Sequence, residues 1–168
     1  MSVNFDEPKC QTHSSNKIFG LCDDQPPAKN PAYIDEANGS NWIAVVQNYN
    51  RYDVTFTAID NCITTLRKDG KMKQRCDGML NYESTVIFVE LKDRGAIGNR
   101  WVEDAIPQLK ASIEIFEDSK MAANFAKKLA YVPNKQHPKF KSTQQRRMNE
   151  FYDETKYILR IQGRINLD

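Results

Sequence analysis

Residues 85–92, with the sequence TVIFVELK, constrain the fold more than any other part of the chain. Side chains point alternately to the two faces of a β-strand, and in this stretch both alternating sets are mostly apolar. That pattern is typical of a central strand with both faces covered. Glu90 and Lys92 have the same parity, so one covered face carries two charges at the end of the strand. A buried charge without a partner is costly, which makes this strand end a candidate functional site.

The other patterns predict one mixed sheet with helices around it. Strands are expected at 42–47, 53–63, about 73–82, 128–132 and 157–165, with an Asp-Gly hairpin turn at 68–71. Helices are expected at 30–38, 103–116, 119–126 and 142–155. Asn30 is a good N-cap for the first, Pro107 favours a late start of the second, and a capping box opens the fourth. This order predicts an α/β or α+β domain built on a central mixed β-sheet flanked by helices.

The chain of 168 residues is long enough for one hydrophobic core and too short for two ordinary domains. Residues 1–29 are polar, contain three prolines and show no sustained period. They are predicted to form an irregular N-terminal arm, and residues 30–168 a single domain. No apolar run approaches the roughly 20 residues that span a bilayer, and the first residues do not have the character of a secretory signal. A cytoplasmic protein without a membrane partner is expected.

The four cysteines are irregularly spaced and form no C-x-x-C pair, which argues against a structural zinc site. They are expected to be reduced and mostly buried. His13 and His137 are isolated in the sequence, so carboxylates are the remaining candidates for metal ligands.

Asp77 is thirteen positions before Glu90, a spacing that places it beside Glu90 on the preceding strand. Two neighbouring carboxylates repel each other unless a cation or a proton lies between them. Mg²⁺ suits such a pair because it prefers hard oxygen ligands, and the main-chain carbonyl of Leu91 is a further candidate ligand. Lys92 is then placed to orient a water molecule and to neutralise developing negative charge.

The segments Arg75-Cys76-Asp77-Gly78 and Val89-Glu90-Leu91-Lys92 resemble the motif of the PD-(D/E)xK nucleases. The resemblance extends over about residues 30–132. It implies a restriction-endonuclease-like core and a nuclease that uses Mg²⁺ or Mn²⁺ to hydrolyse phosphodiester bonds, with nucleic acid as the partner and DNA favoured over RNA. Asp77, Glu90, Lys92 and Gln108 would be the catalytic residues, and a homodimer is one assembly open to the chain by analogy.

The resemblance also points to residues outside the central motif. Gln108 is similar to a glutamine that the family carries on the helix after the catalytic strand, although Ser112 stands where one branch has tyrosine. An additional acid often completes the site. Asp35 or Glu36, on the predicted first helix, match that role, and Asp60 near the end of an earlier strand competes with them.

Residues 127–147 contain seven basic side chains and no acidic one, although the net charge of the whole chain is only +2. The segment is either a solvated surface or a surface that contacts phosphates. Under the second interpretation, Lys139, Lys141, Arg146 and Arg147 are candidate nucleic-acid contacts.

Two alternatives to a nuclease remain open from the sequence. The first is a catalytically silent protein of the same fold that binds nucleic acid or a protein partner. The second is a small interaction protein in which Glu90 and Lys92 form a structural ion pair, and this alternative predicts no metal binding.

Overall fold

The computed structural model of the protein describes residues 3–64, 74–95, 98–136 and 144–168. The strands are β1 (Gln11–Ser14), β2 (Ile18–Cys22), β3 (Tyr33–Asp35), β4 (Ala44–Gln47), β5 (Val54–Ala58), β6 (Gly78–Tyr82), β7 (Thr85–Val89), β8 (Lys127–Tyr131), β9 (Ile158–Arg160) and β10 (Arg164–Asn166). The α-helices in this part of the chain are α1 (Arg100–Glu117) and α2 (Gln145–Thr155). Short 3₁₀ helices occupy Pro8–Cys10, Gly39–Asn41 and Lys120–Asn124.

The strands form two mixed sheets. The larger has the order β1-β5-β6-β7-β8-β9, antiparallel from β1 to β7 and parallel from β7 to β9. The smaller has the order β10-β4-β2-β3. The predicted central strand is β7, and all five of its residues are buried between β6 and β8.

Two apolar cores cover the two faces of the six-stranded sheet. On one face, Val86 and Phe88 of β7 pack in the same core as Leu109 of α1 and Phe151 of α2. On the other face, residues of the same strands pack with the four-stranded sheet. The protein is therefore an α+β domain, and its central mixed sheet agrees with the prediction. The covering differs from the prediction, because a second sheet packs on the face opposite these helices.

The prediction of an irregular arm over residues 1–29 is wrong for its first part. Residues 11–14 form β1 at the edge of the larger sheet, and residues 18–22 form β2 inside the smaller one. The predicted helix at 30–38 is also wrong, because Tyr33–Asp35 pair with β2, and the Ile34 N–H donates to Thr12 Oγ1 at 3.0 Å. Pairing between distant segments outweighs the local helix signals at Asn30.

Three elements differ from their predictions in start, helix type or continuity. Helix α1 begins at Arg100 and includes Pro107, because burial of Trp101 and Val102 offsets the hydrogen bond that proline cannot donate. The stretch at 119–126 is a 3₁₀ helix. The single strand predicted at 157–165 is divided into β9 and β10, which belong to different sheets. The predicted turn at 68–71 lies outside the described residues.

The prediction that all cysteines are reduced is wrong for two of them. Cys10 and Cys62 form a disulfide with a Cα–Cα distance of 5.8 Å, because pairing of β1 with β5 brings their segments together. Cys22 and Cys76 are free and buried. In the described ranges, none of the helices has the length and apolar character needed to cross a membrane.

Gly78, the first residue of β6, provides a stability test of this packing. A Cβ atom there would lie 2.7 Å from the carbonyl oxygen of Thr57 and would also overlap the buried ring of Phe56. We expect Gly78→Ala to lower the free energy of unfolding by about 1–3 kcal/mol in a urea titration.

Gly39→Ala is the matched control, because a Cβ at Gly39 meets no atom within 4 Å. Its free energy of unfolding should stay within about 0.5 kcal/mol of the wild-type value. Equal losses in the two variants would contradict the close packing at the start of β6.

Candidate active site

The register of β6 and β7 places the predicted site residues together. Gly78 pairs with Val89, so Asp77 lies opposite Glu90 just beyond the last pair. Asp77 shares parity with Met79, and Glu90 shares parity with Phe88, and both of those side chains belong to the helix-side core. Asp77, Glu90 and Lys92 therefore share the helix-facing side at one end of the six-stranded sheet.

Reciprocal hydrogen bonds hold the two carboxylates against the facing strands. The Asp77 N–H donates to Glu90 Oε1 at 3.1 Å, and the Leu91 N–H donates to Asp77 Oδ2 at 2.7 Å. At this end of the β6–β7 ladder, carboxylate oxygens thus accept main-chain N–H hydrogen bonds, as carbonyl oxygens do within the ladder. Asp77 is 7% exposed and Glu90 is 4% exposed, so both acids are held out of bulk water.

Lys92 completes the group of charges. Its Nζ lies 3.0 Å from Glu90 Oε2 and donates to Gln108 Oε1 on α1 at 3.3 Å. One turn further along α1, the Ser112 hydroxyl accepts a hydrogen bond of 2.8 Å from the Cys76 N–H, directly before Asp77. Helix α1 therefore contacts both strands that carry the acids. Ser112 is thus a buried structural contact between α1 and the segment before β6.

Asp23 belongs to the same cluster and was missed by the sequence analysis. It directly follows β2 and lies close enough to Asp77 for the charge of that carboxylate to raise its pKa. The charge of Glu90 raises the pKa of Asp77 in turn, so three acids influence one another, with Asp77 between the other two. The sequence carries no motif around Asp23, and its strand was taken for an irregular arm. Its proximity follows from the packing of the two sheets.

Burial shifts the protonation of all three acids. It raises the pKa of Asp77 well above its usual range, and the charge of Glu90 adds to this effect. Burial also raises the pKa of Glu90, although the Lys92 ammonium opposes the shift. Burial and the Asp77 charge together raise the pKa of Asp23 to about 7. The cluster therefore favours bound protons, or a cation that takes their place.

Asp60, Asp35 and Glu36, which the sequence offered as an additional acid of the site, each have another partner in the structure. Asp60 lies close enough for its charge to raise the pKa of Asp77, but its carboxylate pairs with Arg75 at 2.9 Å. Asp35 accepts hydrogen bonds from Trp42 and from the main chain near the end of β3. Glu36 accepts a hydrogen bond of 2.7 Å from a serine hydroxyl of β1. No helix carries Asp35 and Glu36, so the reason for selecting them does not hold.

The predicted basic contacts are described in part. Arg146 pairs with a glutamate one turn along α2 at 3.1 Å, and Arg147 pairs with Glu103 of α1 at 2.5 Å. Both guanidinium groups thus have acidic neighbours in the free protein. Lys139 and Lys141 lie outside the described residues.

A cavity of about 210 Å³ adjoins the carboxyl cluster. Its lining includes Asp23, Asp93 and Lys135. Asp93 directly follows Lys92 in the sequence, and Lys135 is next to Lys92 in space. The Lys135 N–H donates to the Lys92 carbonyl oxygen at 2.9 Å, which fixes one wall of the cavity to the site. Asp23 is the residue that this cavity shares with the acids of the site.

The oxygen atoms of the site suit a hard divalent cation. Across residues 3–64, 74–95, 98–136 and 144–168, no group of three or more His, Cys, Asp or Glu side chains is arranged to hold a metal ion. Mg²⁺ needs fewer protein ligands, because it is commonly held by one or two carboxylates and keeps several waters. Asp77 and Glu90, with the carbonyl of Leu91, provide a donor set of that kind.

Comparison of the chain with protein-family models, with curated proteins and with solved structures finds no match. The resemblance of the Asp77, Glu90 and Lys92 segments to a nuclease motif therefore stays a prediction. A function must be argued from the contacts of the site, because a fold class alone does not define one.

The raised pKa values predict how stability depends on pH. A group whose pKa is higher in the folded state stabilises the protein at low pH and loses that contribution as pH rises through the folded value. Without divalent cations, the free energy of unfolding should therefore fall between about pH 4 and pH 7, because the pKa of Asp23 rises from its ordinary value of 3.8 to about 7 in the folded protein. Urea titrations in a chelator at several pH values measure this fall.

Asp23→Asn should make the fall around neutral pH shallower, because the variant has no proton to lose at this position. Asp24→Asn is the control, since Asp24 is the exposed neighbour and lines the same cavity. The expected profile for Asp24→Asn is close to that of the wild type, because the charge of Asp24 is the smallest of the causes that raise the pKa of Asp23. A steep fall that persists in Asp23→Asn would contradict the contact between Asp23 and Asp77.

Proposed function

We propose that the protein is a nuclease with a restriction-endonuclease-like core that uses Mg²⁺ or Mn²⁺ to hydrolyse phosphodiester bonds of DNA or RNA. The observation that carries the proposal is the pair of buried carboxyl groups of Asp77 and Glu90, held by reciprocal main-chain hydrogen bonds beside the Lys92 ammonium. The half-buried Asp23 lies close enough for the charge of Asp77 to raise its pKa. In the ionised state this group has more negative than positive charge. A divalent cation is the chemical partner that balances it.

The excess of acid argues against a purely structural ion pair. One carboxylate would be enough to neutralise Lys92, and Glu90 already contacts it at 3.0 Å. Asp77 adds a second buried carboxyl group beside Glu90, and ionisation of both would cause strong repulsion where the dielectric is low. Such an arrangement destabilises the metal-free fold, and a bound cation explains why the acids are tolerated together.

Each residue has a distinct task in the proposed reaction. Asp77, Glu90 and the carbonyl of Leu91 would hold the ion, which when bound polarises a phosphate oxygen and lowers the pKa of a water ligand. Lys92 places a positive charge where negative charge develops on the phosphate. Gln108 accepts a hydrogen bond from Lys92 Nζ and so keeps the ammonium directed into the site.

The element order supports the proposed core. Strands β6 and β7 carry the acids, α1 follows β7, and the chain returns in parallel as β8. The basic segment 127–147 begins on β8, and its Lys135 lines the cavity beside the acids. This placement favours contacts of the segment with phosphates that flank the scissile one, with DNA as the preferred partner. A homodimer would place two such sites on opposite strands.

Substitution of the charged residues tests the proposal. Lys92→Ala should lower kcat for cleavage of a plasmid by at least about 10²-fold while Mn²⁺ binding is retained, because the lysine acts on the transition state. Asp77→Asn and Glu90→Gln should lose both Mn²⁺ binding, measured by isothermal titration, and cleavage. Lys110→Ala is the control, since Lys110 pairs with Glu154 at 2.6 Å on the outer part of α1.

The outcomes separate the three candidate functions. Binding of Mn²⁺ without cleavage by the wild type would favour a catalytically silent nuclease fold. Absence of both would favour a structural Glu90–Lys92 ion pair in an interaction protein. Full cleavage by Lys92→Ala would show that the role assigned to Lys92 is wrong.

A further inference from the structure

Asn134 is a buried polar residue beside the site, and the proposed function assigns it no role. It forms an isolated parallel bridge with Lys92 and is 1% exposed. Its Oδ1 accepts hydrogen bonds from the main-chain N–H of Arg94 at 3.2 Å and of Gln136 at 3.0 Å. Its Nδ2 donates to the Arg94 carbonyl at 3.0 Å. The amide side chain thus clamps the main chain two residues beyond Lys92.

The clamp lies where the pairing of β7 and β8 becomes weaker. Beyond the strands, the Glu90 N–H donates to the Tyr131 carbonyl at 3.1 Å, and the Lys92 N–H donates to the Pro133 carbonyl at 3.0 Å. In a regular parallel ladder the N–H of residue 133 would donate to the carbonyl oxygen of Glu90, but residue 133 is a proline and has no N–H. The ladder therefore lacks a bond next to the acid, and the Asn134 side chain secures the chain on the far side of Lys92.

The clamped segment is also attached to α1. The Arg94 guanidinium pairs with Asp104 at 2.7 Å, one turn before Gln108 on the same helix. Gln108 is the residue that contacts Lys92 Nζ. Asn134 thus stabilises residues 92–94, and Arg94 attaches this segment to α1, the helix that carries Gln108.

We propose that Asn134 is a positioning residue of this site: its amide fixes residues 92–94 against β8 and so holds the Lys92 ammonium between Glu90 and Gln108. The proposal rests on the proposed function, because positioning of Lys92 matters for catalysis only if Lys92 acts in cleavage. Asn134 acts through Lys92, its partner in the parallel bridge.

A second asparagine provides a matched control. Asn48 is fully buried, its Oδ1 accepts the Tyr52 N–H at 2.9 Å, and its Nδ2 donates to the Tyr52 carbonyl at 2.9 Å. This is the same side-chain clamp on a main-chain N–H and carbonyl. It closes the connection between β4 and β5, whereas the Asn134 clamp secures the segment that carries Lys92.

Cleavage kinetics compare the two clamps. Asn134→Ala should lower kcat by about 10²-fold with a much smaller change in KM, because Lys92 loses its alignment with the reacting group. Asn48→Ala should lose stability to a similar extent and keep its kcat. If Asn134→Ala does not fold, Asn134→Asp gives a milder test, because it keeps both acceptor contacts and loses the donor to Arg94.

A second readout does not depend on cleavage. In ¹⁵N-lysine NMR spectra, the ammonium of Lys92 should give a signal protected from exchange, since it is buried and contacts Glu90 and Gln108. Asn134→Ala should lose this signal and Asn48→Ala should keep it. Equal kcat in the two variants, or a protected signal in Asn134→Ala, would overturn the proposal. If the wild type does not cleave, the proposed function fails, and the NMR comparison still decides whether Asn134 positions Lys92.

Discussion

Two carboxyl groups and an ammonium, those of Asp77, Glu90 and Lys92, lie together at one end of the six-stranded sheet, largely out of contact with water. Removal of such groups from water costs free energy, which the surrounding contacts must offset. Strands β6 and β7 hold Asp77 and Glu90 through reciprocal main-chain bonds, and α1 contacts both strands through Gln108 and Ser112. The geometry of this strand end depends on those directed bonds, because apolar packing alone does not fix the position of a charge.

The second sheet contributes a residue to the site from a part of the chain far from β6 and β7. Strand β2 brings Asp23 to the cluster from the opposite layer, and the Cys10–Cys62 disulfide ties the segment before β1 to the residues after β5. Asp23 is separated from Asp77 by more than fifty positions, so their contact forms only when the two sheets pack. Binding of a cation is then expected to stabilise the packing of the layers, because it removes repulsion between acids that both layers supply.

Sequence reasoning found the parts of the site that depend on local pattern. The parity of residues 85–92 predicts that Glu90 and Lys92 share a face, and the spacing to Asp77 suits neighbouring antiparallel strands. It missed Asp23, because strands of four or five residues leave little periodicity and the contact crosses between sheets. The helix predicted at 30–38 failed for a related reason, since the capping signals of Asn30 are weaker than the pairing of β3 with β2. Cysteine spacing could not reveal the disulfide, which the pairing of distant strands creates.

The central claim is that a divalent cation, held by Asp77 and Glu90, balances the buried charge. A crystal of the protein soaked in Mn²⁺ and measured for anomalous scattering tests this claim most directly. The expected result is a peak between the two carboxylates, about 2.1–2.2 Å from an oxygen of each and from the Leu91 carbonyl, with waters as its remaining ligands. A structure without a peak at this position, in which Lys92 Nζ stays within 3.0 Å of Glu90 Oε2, would contradict it.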